Sequence, residues 1–262
     1  MTRGKEKVIG IIPARYASTR LPGKVLYEIA GKSILRRVYE RALRAKTLSA
    51  VYIATDSEEI VRAAEKFGAT CILTSSRCRS GTDRVAEAAA GLSADIIVNI
   101  QADEPFIPVE AIDDPVLLMS GDRAVEMATA LTRIRKAEEL YDPNIVKTVI
   151  DTDGNALYCT RSLIPFPKIK FDASRPGSLR KVVFYKHIGV YQFRRSALEE
   201  FTRLPTGFLE QVEQLEQLRW LEHGRKMRCA IVSRDSPCVD TLEDIQRINR
   251  ALADGPSHTR PA

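Results

Sequence analysis

The chain has 262 residues, enough to bury a large core, and its 44% apolar and 28% charged content is ordinary for a globular protein. Its net charge of +6 is interspersed and only 6% of residues are aromatic, which argues against a nucleic-acid-binding module with a continuous basic face and stacking positions. Five cysteines without a CxxC pair indicate neither a disulfide framework nor a zinc site; with no run near the ~20 apolar residues of a membrane span, the expectation is a reduced, cytoplasmic protein with no membrane insertion.

Val8 to Ile12 is a wholly apolar run closed by Pro13, the pattern of a buried parallel strand. The segment after it, within IIPARYASTRLPGKVL (Ile11–Leu26), is rich in donors. Arg15, Arg20 and Lys24 could neutralise a polyphosphate, Ser18 and Thr19 add hydroxyls, and Gly23 would permit close backbone approach; the competing reading is a solvated basic loop. Neither GxxxxGK[ST] nor GxGxxG is present, so this is no Walker loop and no dinucleotide fingerprint, and an NAD-dependent oxidoreductase is disfavoured.

SILRRVYERALRA predicts a helix capped by Ser33, AVYIAT (50–55) a strand, and DSEEIVRAAEKFG a helix stopped by Gly68. TCILT (70–74), RVAEAAAGL (84–92) and DIIVNI (95–100) repeat the alternation, which predicts an α/β fold with a mostly parallel central sheet and ligands at the carboxyl ends of its strands. Before the third helix, SGTDR (80–84) offers either a cap at Thr82 or Asp83, or small residues and Arg84 around a planar base. IVNIQADEP (97–105) delivers Gln101, Asp103 and Glu104 to a strand end, where a carboxylate could hold Mg²⁺ beside phosphate, or where a turn simply solvates its charges.

Beyond residue 125 the rhythm changes. MATAL, NIVKTVI and ALYCT predict strands, the last two joined antiparallel through DTDGNA; KIKFDASRPGSLRK (168–181) predicts an exposed, mobile basic loop. VVFYKHIGVYQF (182–193) predicts a strand with Tyr185, His187, Gly189 and Tyr191 on one face, Gly189 leaving a gap where a small molecule could lie. His187 itself fits either a buried, hydrogen-bonded histidine or a ligand. FLEQVEQLEQLRWLEHG (208–224) predicts one continuous helix with Glu210, Glu213 and Glu216 on a solvated face and His223 at its end. MRCAIV is a late strand, and TLEDIQRINRALA a closing helix at whose start Asp240 is either a cap paired with Glu243 or a second metal carboxylate. The tail from residue 254 is expected to be disordered.

IIPARYASTRLPGK, SGTDR, NIQADEP, HIGVYQF, LEQLR and VDTLEDI, in this order and spacing, resemble the CMP-Kdo synthetases (3-deoxy-manno-octulosonate cytidylyltransferases) from about Val8 to Ala251. The resemblance implies a Rossmann-like nucleotidyltransferase fold in a single domain, with a CTP-binding half (8–125) and a smaller mixed β region (126–252) for sugar binding and dimerisation. It also implies a homodimer, Mg²⁺ as cofactor, and transfer of CMP from CTP to the anomeric hydroxyl of Kdo with release of pyrophosphate. Carried onto matching positions, Arg15, Ser18 and Lys24 would bind the triphosphate, and Ser80 and Arg84 the cytidine. Asp103 and Asp240 would hold Mg²⁺. Gln101, Arg161, His187, Tyr191, Glu216 and Gln217 would line the sugar-acid pocket. The chain has Ala102 where this family commonly has glycine. A sibling acting on the 8-amino analogue of Kdo would share nearly all of these residues, whereas RYASTRLPGK and HIGVYQF fit a sialic-acid enzyme less well.

Overall fold

The computed structural model describes residues 6–17, 21–169, 171–174, 177–237, 239 and 241–253. In chain order the first half contains β1 (Val8–Pro13), β2 (Glu28–Ile29), β3 (Lys32–Ser33), α1 (Ile34–Ala42), β4 (Ala50–Thr55), α2 (Glu58–Glu65), β5 (Thr70–Leu73), α3 (Gly81–Ala90), β6 (Ile96–Ile100) and α4 (Val109–Gly121). The second contains β7 (Met127–Arg133), α5 (Ala137–Tyr141), β8 (Lys147–Ile150), β9 (Ala156–Thr160), α6 (Ser178–Lys181), β10 (Tyr185–Arg194), α7 (Arg195–Arg203), α8 (Phe208–Glu213), α9 (Gln217–Glu222), β11 (Met227–Val232) and α10 (Leu242–Ala253).

β1 is apolar throughout because it is buried on both faces, lying parallel between β4 and β6. The sheet has nine strands, seven of them in the order β11-β7-β10-β6-β1-β4-β5, with β8 added to β10 and β9 to β8. β5, β4, β1 and β6 run parallel, as do β7 and β11; β10 is antiparallel to β6 and β7 and joins the two groups. One face of the sheet packs under Val38 of α1, Ile60 of α2 and Ile112 of α4. The other packs under Val85 of α3, Phe201 of α7 and Trp220 of α9. This is the expected mostly parallel α/β architecture with helices on both faces.

Several elements depart from expectation. α4 is concealed in the sequence by Pro115, which reads as a breaker yet sits inside the helix. The span 208–224 is not one helix: Gln214 adopts φ 55°, ψ 47°, and the left-handed residue splits it into α8 and α9. α3 is capped by neither Thr82 nor Asp83; the Ser80 hydroxyl accepts the Asp83 N–H at 3.2 Å. The stretch 168–181 is not loop throughout, since it ends in α6 and its Phe171 ring packs on Phe184 at 5.5 Å. β8 and β9 do pair antiparallel, Thr148 opposite Cys159, through a turn whose Asp151 carboxylate accepts the N–H groups of Asp153 and Asn155.

Candidate active site

The carboxyl ends of β1, β6 and the segment after β5 open into a cleft of about 290 Å³. Seven of the expected residues line it: Arg15, Lys24, Ser80, Arg84, Gln101, Asp103 and Glu216. Each arrives by a local device. Gly23, at φ 68°, starts a single 3₁₀ turn whose first residue is Lys24, and the Tyr16 carbonyl accepts the Gly23 N–H at 2.8 Å, folding the basic loop back over the strand end. From this turn the Lys24 ammonium reaches the Asp103 carboxylate at 2.9 Å. Ser18, Thr19 and Arg20 lie outside the described residues.

Arg84 is nearly fully buried on α3 yet keeps its charge paired. Its guanidinium donates to Asp56 at 3.0 Å and to the Thr74 hydroxyl at 2.5 Å, so it enters the cleft wall as a fixed cation. Ser80 and Gly81 lie at the same helix start. Ala102 is buried and lines the cleft, and it is not among the described non-glycine residues with positive φ (Ala30 and Gln214), so the backbone there makes no demand for glycine.

The strand end behaves differently for its two acids. Asp103 is held by Lys24, whereas Glu104 turns inward, where it accepts the Gly189 N–H at 3.2 Å and a short hydrogen bond from the Ser236 hydroxyl. Burial pushes the Glu104 carboxyl up to about 7, and the neighbouring Asp103 charge adds to this; the bonds from Ser236 and Gly189 and the Lys186 charge oppose it. A solvated turn is therefore not what Glu104 makes. The gap expected at Gly189 is not open to a ligand either, since a Cβ there would stand 2.9 Å from Glu104 Oε1.

The other expected residues that are described, Arg161, His187, Tyr191 and Gln217, do not line the cleft. His187 is buried in β10, its Nε2 2.9 Å from the Thr129 hydroxyl, which donates at 2.8 Å to the Val190 carbonyl. That hydroxyl has one proton, so Nε2 carries the imidazole proton and Nδ1 is left as the acceptor. Burial lowers the His187 pKa to about 4. The His187 and Tyr191 rings are 5.2 Å apart, and the Tyr191 hydroxyl donates to Gln217 Oε1 at 2.9 Å. The Gln217 amide nitrogen is buried near the Cys159 thiol, with no hydrogen bond to nitrogen or oxygen among the described residues. Arg161 does not line the cleft; its Nε and Nη1 donate to the carbonyls of Glu213 and Pro143, both at 2.9 Å.

The three glutamates of α8 and α9 do not form a solvated face. Glu210 is buried against Arg219, Nε to Oε2 at 2.8 Å and Nη2 to Oε1 at 2.6 Å, with the guanidinium stacked on Phe201. Glu213 accepts from the Thr160 hydroxyl and the Arg161 N–H, and Glu216 from the Thr82 hydroxyl at 2.6 Å. At α10 the reciprocal cap is made by Thr241 and Asp244, not by Asp240 with Glu243: the Asp244 N–H donates to Thr241 Oγ1 and the Thr241 N–H to Asp244 Oδ2. Asp240 lies outside the described residues, as do Cys238 and the tail.

The profile of a family described as Cytidylyltransferase matches residues 9–227. The 3-deoxy-manno-octulosonate cytidylyltransferase of Desulfatibacillum aliphaticivorans is 46% identical over 95% of this chain and 99% of its own, and that of Pelobacter propionicus 45% over 91% and 94%. The chain belongs to the 3-deoxy-manno-octulosonate cytidylyltransferase family. A solved structure of CMP:2-keto-3-deoxy-manno-octonic acid synthetase complexed with CTP is 38% identical to this cytidylyltransferase and matches it with a TM-score of 0.85 over 95% of this chain and 99% of that one. A 4-diphosphocytidyl-2C-methyl-D-erythritol synthase from Anaerococcus prevotii, at 15% identity and a TM-score of 0.59, shares the fold.

Asn99, Thr129 and Glu213 are not among the expected site residues, although Asn99 opens NIQADEP; the structure sets them against Gln101, His187 and Arg161. Asn99 alone carries a sequence signal, a single amide inside the otherwise apolar strand IIVNI.

Proposed function

We propose that this chain transfers CMP from CTP to the anomeric hydroxyl of 3-deoxy-D-manno-octulosonate (Kdo), forming CMP-Kdo and pyrophosphate and so activating the sugar for lipopolysaccharide biosynthesis. The observation that carries this reading is the likeness to the CTP-complexed synthetase across nearly the whole of both chains. The hydroxyl oxygen forms a bond to the α-phosphorus of CTP, the bond from that phosphorus to the bridging β-oxygen breaks, pyrophosphate leaves with the electron pair, and the hydroxyl proton passes to solvent or pyrophosphate. Such a step is helped mainly by alignment and by cations at the phosphates.

In this reading Arg15 and Lys24, together with Ser18, take the triphosphate, and Ser80 and the fixed Arg84 bound the cytidine. Gln101, Glu216, His187, Tyr191 and Gln217 form the acceptor side; Arg161, whose Nε and Nη1 are held by the carbonyls of Glu213 and Pro143, would have to turn Nη2 to the sugar carboxylate. Asp103 suits Mg²⁺: it is a hard oxygen donor at a strand end that already holds the Lys24 ammonium at 2.9 Å. No group of three or more potential ligand side chains gathers among the described residues, so the ion would complete its shell with phosphate oxygens, water and Asp240. When bound, Mg²⁺ would neutralise charge on the triphosphate. The stretch 8–125 serves CTP, and 126–252 the sugar acid and a homodimer contact, within one nucleotidyltransferase unit. A cytoplasmic setting is supported by four free cysteines among the described residues and by the lack there of a helix long and apolar enough to cross a membrane.

The test is pyrophosphate release with CTP and Mg²⁺ in parallel reactions with Kdo, its 8-amino analogue and a sialic acid. Release with Kdo alone is expected. Release only with the amino analogue would move the specificity, and silence with all three from folded protein would overturn the reaction.

A further inference from the structure

Four side chains, from β6 and the residue after it, from α3 and from the α8–α9 junction, form an uninterrupted hydrogen-bonded chain under the cleft. Gln101 Nε2 lies 3.1 Å from Asn99 Oδ1, Asn99 Nδ2 lies 3.2 Å from Thr82 Oγ1, and Thr82 Oγ1 lies 2.6 Å from Glu216 Oε2. Asn99 and Thr82 are inaccessible, at 0% and 1% exposure, so neither can exchange its partner for bulk water.

The direction of this chain follows from its last member. A carboxylate only accepts, so the single Thr82 hydroxyl proton points at Glu216. Thr82 Oγ1 then has only lone pairs to offer Asn99, which must meet it with Nδ2; Asn99 Oδ1 faces the other way and must be met by Gln101 Nε2. The last consequence reaches the ligand: Gln101 is turned so that Oε1, an acceptor, is the group it presents at the cleft, and no described protein donor satisfies it. A glutamine with nothing behind it could offer either its oxygen or its nitrogen.

We infer that Asn99 and Thr82 are positioning residues for specificity, which transmit the charge of Glu216 so that Gln101 is fixed as an acceptor for a hydroxyl donor of the sugar acid. This rests on the cytidylyltransferase reading and deepens it. The chain would discriminate against an acceptor sugar lacking that hydroxyl, because Oε1 would then lose its donor.

Thr82→Val keeps the shape and removes the link; Thr82→Ser keeps the hydroxyl. Steady-state pyrophosphate release with Kdo and CTP varied separately should show KM for Kdo rising about tenfold in Thr82→Val, KM for CTP unchanged within about twofold, and Thr82→Ser returning near the wild type. Equal changes for both substrates, or wild-type kinetics in Thr82→Val, would overturn the inference. Should Thr82→Val fail to fold, side-chain amide exchange in wild-type protein labelled at asparagine and glutamine decides: slow exchange at Asn99 and Gln101 is expected, and exchange at the rate of exposed amides would overturn the chain. A wild-type enzyme silent with every acceptor would instead remove the reaction on which the inference rests, while an active wild type with an indifferent Thr82→Val removes the inference alone.

Discussion

At the scale of single residues, the site holds polar groups in states they would not adopt in water, and each state has a measurable consequence. His187 is buried as the neutral tautomer, its pKa lowered to about 4 by desolvation against an ordinary value of 6.5. The unfolded chain therefore binds a proton that the folded chain refuses across this window, so His187 lowers stability as pH falls from about 6.5 towards 4 and leaves it flat above. Between pH 7 and pH 5 this amounts to about 2 kcal/mol. Urea unfolding at the two pH values should show that loss in the wild type and a smaller one in His187→Gln; parallel losses would show that the imidazole is protonated in the folded state. Asp103 invites a second substitution. Asp103→Asn removes the charge facing Lys24 and the oxygen assigned to Mg²⁺ while keeping the size of the side chain, so kcat should fall by on the order of a hundredfold or more with the melting temperature nearly unchanged. Near-normal turnover would take Asp103 out of the metal site.

At the scale of elements, the α8–α9 elbow ties the two sides of the site together. Its angle is set by the left-handed Gln214 and clamped by the buried pair of Glu210 and Arg219, and from it Glu213 reaches Arg161 while Glu216 reaches Thr82. Arg219→Met would leave Glu210 buried and uncompensated, at a cost of about 3–5 kcal/mol, whereas Arg219→Met with Glu210→Leu replaces both charges and should recover most of it. Thermal or denaturant unfolding of the single and double variants checks this; a double variant as unstable as the single would mean that the elbow depends on packing rather than on the unpaired charge. The elbow also shows why part of the site is illegible in sequence. Hydrophobic periodicity runs through 208–224 without interruption, and a glutamine carries no sign that its φ is positive. The parallel strands before residue 100 are legible because burial on both faces forces apolar runs such as VIGII and IIVNI, and the helices between them because their inner faces recur at helical spacing. α4 is hidden by Pro115, and the inward turn of Glu104 depends on Gly189 and Ser236, which are 85 and 132 residues away. Motifs place Arg15, Lys24, Gln101 and Asp103 after strand ends and Ser80 and Arg84 at a helix start, so the fold alone gathers them; what Asn99 and Glu213 do is settled by tertiary partners that no local pattern contains.

For the whole molecule, large apolar side chains are exposed in both halves, Leu73 and Leu117 in the first, and one set in the second suits a partner. Leu157 on β9, Phe166 and Ile169 after it, and Phe208 and Val212 on α8 are all more than 60% exposed, and all belong to the half of the chain assigned to dimerisation. Among the described residues β9 also pairs along one side only, with β8, and a single bridge from Asn155 to Arg228 stands just before it. An enzyme whose substrates are a nucleotide and a sugar acid has no use for exposed phenylalanines in binding them, and their burial against a second copy would remove the exposure from both chains at once. Sedimentation equilibrium should give a dimer for the wild type, and Phe208→Glu with Val212→Glu should give a monomer, since each copy would then bring two charges into the contact. Because α8 also holds Glu213 against Arg161, the monomer should lose more affinity for the sugar acid than for CTP. A wild-type monomer would remove the dimer, and a monomeric variant with unchanged kinetics would show that the elbow keeps its shape without a partner.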